Sequence, residues 1–135
     1  MTEILYPTSS EIISRGALKI YMLEPGILVT ECVNEVHIDM HTALEIHKIG
    51  SELIEFKNVA NLVLASPGLT TTKEVREWGA SEKANEFNLA TAVVTKTLPV
   101  RMIGNFFIKI QNPPRPTKLF TNSDEAVSWL RGFLK

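Results

Sequence analysis

Cysteine is almost absent from this chain: Cys32 stands alone, which excludes an internal disulfide, and its neighbours Glu31 and Val33 supply no base to activate a thiol. We read it as a structural residue. Long apolar runs are missing too, since a bilayer-crossing helix needs about 20 consecutive apolar residues and the longest stretches here are broken by Lys, Glu or Asn. A membrane-spanning helix is therefore not expected. The opening MTEILYPTSS has neither a basic start nor an apolar core, and with the lone cysteine it leads us to expect a cytoplasmic protein. Gly-x-Gly-x-x-Gly, P-loop, Gly-x-Ser-x-Gly and Cys-x-x-Cys arrangements are all lacking, so the common nucleotide-binding, acyl-transfer and redox signatures are not there. We expect no enzyme and no cofactor.

What is present suits a single folded domain of 135 residues, 44% hydrophobic and 21% charged. We take residues 1–16 as an N-terminal extension and 17–134 as the core. The net charge of −1 divides unevenly: residues 1–95 carry 7 basic and 13 acidic side chains (−6), residues 96–135 carry 7 basic and 2 acidic (+5). Such asymmetry either seats an anionic partner or a second copy, or cancels as the two halves intermix in the fold.

The pattern along the chain alternates strands with helices. Ala17–Met22 and Ile27–Cys32 read as a β-hairpin around Glu24-Pro25-Gly26, and Val36–Ile38 reads as the strand's continuation after a turn at Asn34. Ala43, Ile46, Ile49, Leu53 and Phe56 stripe a helix from Met40 to Phe56, with Asp39 as its cap. Asn61–Ala65 and Leu89–Val94 are apolar runs of central strands, and the capping-box spacing of Thr71 and Glu74 starts a helix near Thr72 that runs to about Glu86. A helix after Thr97 and Pro99 shows a wide apolar face of Met102, Ile103, Phe106, Phe107 and Ile110, which predicts burial. Arg101, Asn105 and Lys109 then form its wet face rather than a nucleic-acid stripe. Pro113 to Pro116 punctuate, Thr117–Phe120 is a last strand, and Asn122 caps a final helix anchored by Ala126, Trp129, Leu130, Phe133 and Leu134. This order predicts an α/β fold with a mixed, mostly parallel sheet and about four helices. Ile4-Leu5 and Ile12-Ile13 in the N-terminal extension remain unassigned.

Three groups of residues have chemistry worth following. His37, Asp39 and His41 alternate as zinc ligands do on a strand, although a helix cap at Asp39 breaks that shared face, so metal is the lesser reading. Ser66, Thr70, Thr71 and Thr72 sit where a central strand passes into a helix, the edge at which α/β sheets gather ligands and at which helix amides favour anions. Cap and turn duties explain the same hydroxyls. Trp78, in a helix otherwise polar nearly all round, is either a core anchor or an aromatic that faces a partner.

GILVTECVNEVHIDMHTALEI, NLVLASPGLTT and IGNFFIKIQNPPRPTKLFTNSDEAVSWL, in that order, resemble the STAS-like superfamily, the bacterial SpoIIAA-like fold of anti-sigma-factor antagonists. The resemblance covers residues 17–134 as a pattern of elements. It implies a non-enzymatic regulatory module whose Ser66–Thr72 loop docks on a protein partner, a regulatory kinase or a second copy of itself, as a homodimer. The family's Asp-Ser-Ser-Gly arrangement is replaced here by Pro67-Gly68-Leu69-Thr70-Thr71-Thr72, which puts phosphoregulation in question. A related branch resembles lipid-transfer domains and implies, alternatively, a carrier of small apolar ligands with its pocket between the Phe106 helix and the sheet.

Overall fold

A computed structural model describes residues 12–134. Strands β1 (Ile13–Arg15), β2 (Leu18–Glu24) and β3 (Ile27–Cys32) form an antiparallel meander. Pro25 and Gly26, the latter at φ 88°, make the tight turn between β2 and β3. β1 was unassigned from the sequence, while Ile4 and Leu5 lie outside the described residues.

From β3 onward the sheet is parallel. β5 (Val59–Leu64), β7 (Asn88–Val94) and β8 (Thr117–Phe120) follow in the order β1-β2-β3-β5-β7-β8. The crossovers carry α1 (Met40–Leu53), α2 (Lys73–Gly79) and α3 (Leu98–Phe106, continued by a π-helical turn over Phe107–Gln111). Each steps one strand in the same direction, and right-handed connections then place all three helices on one face. The last helix, α4 (Ser123–Arg131), covers the other.

The α4 face is a dense core. Val29, Leu62, Ala92 and Leu130 are essentially fully buried there, each Val or Leu contributing about 1.5–3 kcal/mol. Arg131 clamps α4 to the hairpin through two hydrogen bonds to Glu24, at 3.0 and 2.7 Å. Ile20, Leu28, Ile49, Ile54 and Val59 form a smaller core under α1 on the opposite face.

Three expectations change. Val36–Ile38 does not continue the β3 strand: as β4 it pairs in parallel with Leu69–Thr71 (β6), a strand inside the segment read as a loop. α1 ends at Leu53 rather than Phe56, because Glu55 and Phe56 take positive φ, and α2 stops at Gly79 instead of Glu86, with the cap one residue later at Thr72. The third concerns α3, whose apolar face is not well buried. Val100 is buried and Phe107 lies against Gly79, but Leu98 is 68% exposed, Met102 61%, Phe106 47% and Ile110 62%. These four, spaced by four, line the outer side of the helix; among the described residues no element lies beyond β8 on that side of the sheet to cover them, and only the Arg76 guanidinium reaches over the Phe106 ring, at 5.7 Å.

Candidate functional site

Between α1, α2 and the open face of β3, β5 and β7 lies a cavity of about 330 Å³. Its apolar wall includes Leu28, Ile46, Ile54, Val63, Val75 and Phe87, and its size reaches the lower end of small-molecule sites. The floor is polar because Asn61 and Thr91 pair across β5 and β7 on this face. Asn61 Nδ2 donates to Asn88 Oδ1 at 2.8 Å, and Asn88 Nδ2 donates to Asn85 Oδ1 at 2.8 Å and Thr91 Oγ1 at 2.9 Å. Asn85 in turn donates to the carbonyls of Gly79 and Ser81, which fastens the segment after α2 to the sheet. The cavity thus lies against α1 and α2, not against the Phe106 helix where the sequence placed it.

Trp78 belongs to this wall. Its ring meets His47 edge-on at 5.5 Å, and His47 Nε2 lies 2.8 Å from Glu86 Oε2, so α1 is tied to both ends of the segment that closes the cavity. That contact with His47, and next the one with Lys83, hold the Glu86 carboxyl below its ordinary range.

The hydroxyls singled out in Ser66–Thr72 are dispersed rather than gathered. Thr72 Oγ1 caps α2 by accepting from the Val75 N–H at 3.1 Å, and Thr71 Oγ1 donates to the Ile38 carbonyl at 3.1 Å. Thr70 is exposed and lies 2.8 Å from His37 Nδ1 across the β4–β6 ribbon. Ser66 is buried elsewhere. The same ribbon disposes of the alternating His-Asp-His pattern: Asp39 accepts from the Thr42 N–H at 2.9 Å as the cap of α1, a bond that holds its carboxyl low, and His37 engages Thr70. Among the described residues no three His, Cys, Asp or Glu side chains come together as metal ligands.

A second pocket, of about 600 Å³, opens at the carboxyl ends of β3, β5 and β7. Ser66 lines it together with Cys32, Thr95, Lys96 and Thr97, residues that the sequence reading either set aside or used only as a helix start. Their shared position just past adjacent parallel strands was the available signal. Cys32 is inert here: burial pushes its thiol up to about 11, against the smaller opposing effect of the Ser66 N–H.

The fold is SpoIIAA-like: a mixed sheet with three crossover helices on one face and a final helix on the other. The family model of DUF7793, a domain of unknown function, matches residues 21–134, and the chain belongs to that family. Among solved structures it is similar to an uncharacterized protein of the DUF3478 family with a SpoIIAA-like fold from Shewanella loihica PV-4, at TM-score 0.58 and 10% identity over 96% of this chain and 98% of that one. Identity that low speaks to the fold alone. No curated protein sequence matches the chain. No helix among the described residues is long and apolar enough to cross a membrane.

Proposed function

We propose that this chain is a non-catalytic, cytoplasmic interaction module of STAS-like type, one domain that docks on a protein partner through the outer face of α3. The observation that carries the reading is the exposed apolar row Leu98, Met102, Phe106 and Ile110. Contiguous apolar surface of this kind marks interaction sites on folded proteins. Charge narrows the partner. Residues 96–120 hold Lys96, Arg101, Lys109, Arg115 and Lys118 and no acidic side chain, so a complementary face is apolar with an acidic rim. Self-pairing through the same row sets like charges against each other, which disfavours a homodimer by this route. Thr70, exposed at the head of the ribbon, is the hydroxyl of the Ser66–Thr72 segment that a regulatory kinase reaches, whereas Trp78 acts as a wall of the cavity rather than as a partner-facing anchor.

The test is native mass spectrometry of the protein purified gently from its own cells, alongside a Met102→Glu/Ile110→Glu variant. A stoichiometric protein companion that the variant loses, while its circular dichroism is unchanged, supports the reading. The same companion on both proteins removes α3 from the interface.

The cavity under α1 and α2 favours a second reading, a carrier of a small apolar molecule. A copurified small molecule of fixed mass, displaced by the larger side chain of Ala84→Leu, identifies the protein as such a carrier.

A further inference from the structure

We propose that the pocket at the carboxyl ends of β3, β5 and β7 binds the phosphate group of a small phosphorylated molecule, a site separate from the α3 docking row and from the apolar cavity. Its strongest feature is unspent hydrogen-bonding capacity. Ser66 lines the pocket and is only 7% exposed, yet its Oγ has no hydrogen-bond partner, and Thr97 Oγ1, on the same lining, is also buried and unpartnered. Buried hydroxyls without partners are uncommon in folded proteins, and two beside one pocket call for a group that bonds both.

The backbone supplies the charge preference. Thr97 is the N-cap of the nine-residue α3, but its side chain makes no cap bond, so the first-turn N–H groups of Leu98 and Val100 keep their capacity, and Pro99 has none to offer. The α3 first turn contains no acidic side chain. That of α4, which also reaches the pocket through Ser123, carries Asp124 and Glu125 and is already offset. Lys96 adds a cation to the rim. Glu31 is the one acidic lining residue, and its Oε1 already accepts from the Tyr21 hydroxyl at 3.0 Å. Two hydroxyl donors, helix-start amides and a lysine match the oxygens of a phosphate, and about 600 Å³ leaves room for the small organic part of a phosphate monoester.

The experiment is a titration of the 15N-labelled protein with inorganic phosphate, with glycerol phosphate and, as a carboxylate control, with acetate. Saturable shifts confined to the amides of 31–34, 64–67 and 94–100 by either phosphate compound support the site; tighter binding of the monoester identifies an esterified ligand, and equal binding identifies free phosphate. Ser66→Ala and Thr97→Val, near-isosteric changes, should each weaken binding about tenfold. Two results overturn the proposal: no saturable shift with either phosphate compound up to tens of millimolar, or affinities untouched in both variants, which means that the hydroxyls hold only water.

Discussion

Asn88 joins three polar groups that otherwise have no reason to meet: the Asn61 amide on β5, Asn85 beyond α2, and Thr91 on its own strand. Replacing it with Ala deletes three side-chain hydrogen bonds, each with a net worth of about 1 kcal/mol. The consequences differ by neighbour. Asn61, Thr91 and Asn85 all border the cavity, but Asn85, only 6% exposed, is the least open to water and keeps a buried carbonyl oxygen without its donor, a further cost of about 1–3 kcal/mol. Partial relief at the cavity brings the expected loss to about 2–4 kcal/mol, or roughly 1–2 M in urea midpoint for a domain of this size. Urea melts followed by far-ultraviolet circular dichroism read it directly. The double variant Asn61→Ala/Asn88→Ala should lose less than the sum of the single variants, because it removes both ends of one bond. Hydrogen exchange should accelerate over 79–88, the segment that Asn85 fastens to the sheet. A loss under about 0.5 kcal/mol, or strict additivity, would refute the view that this network holds the cavity's closing segment.

Further expectations follow from individual groups. The carboxyls of Glu24, Asp39 and Glu86 are held low by Arg131, by the Thr42 N–H and by His47 respectively, so their stabilisation is complete above the ordinary carboxylate range and is lost as pH falls through their depressed values. Burial raises Tyr21 and Cys32, so their contribution is complete below the ordinary phenol and thiol values and is lost as pH rises past them. Melting temperature plotted against pH should therefore be flat near neutrality and fall on both sides, with the alkaline fall reduced in Cys32→Ala. Iodoacetamide at pH 8 should modify native Cys32 at least about a hundredfold more slowly than the unfolded chain, since both its thiolate fraction and its access are low; equal rates would contradict the placement of this thiol. At Gly68 an added Cβ would stand 2.9 Å from the Glu35 Cα and 2.6 Å from its Cγ, so Gly68→Ala should cost about 1–3 kcal/mol in a chemical melt, while Gly16→Ala, with open space but φ +59°, should cost about 1 kcal/mol from backbone conformation alone.

Much of the fold was legible because its determinants are local. The Pro25-Gly26 turn, the Asp39 and Asn122 caps and the apolar runs of β5 and β7 each state their own geometry within a few residues. The β4–β6 ribbon was not legible, since Val36 meets Leu69 only after the intervening helix and strand are in place, and each three-residue strand is too short to announce itself. α3 shows a different limit. An apolar stripe has the same spacing whether it faces a core or solvent, and only the sheet order, which among the described residues leaves no element beyond β8, decides that its outer half is exposed. The spread of the Ser66–Thr72 hydroxyls was not legible for a related reason: these residues are contiguous in sequence, but the chain turns into β6, sending Ser66 to the strand-end pocket, Thr70 to the ribbon and Thr72 to a cap.

The π-helical turn over Phe107–Gln111 bears on that exposed face. In an α-helix each residue advances by about 100°, so side chains four apart drift by about 40° per step, and after three steps the last has swung about a third of the way round the axis. A wider turn advances less per residue and reverses the drift where it occurs. The extra backbone slack at Phe107–Gln111 therefore works as a phase correction, returning Ile110 toward the line begun by Leu98, Met102 and Phe106. With the same residues wound at regular α-helical pitch, Ile110 would stand about 120° from Leu98 and off the line: the exposed apolar row is written in the winding of the backbone as well as in its side chains.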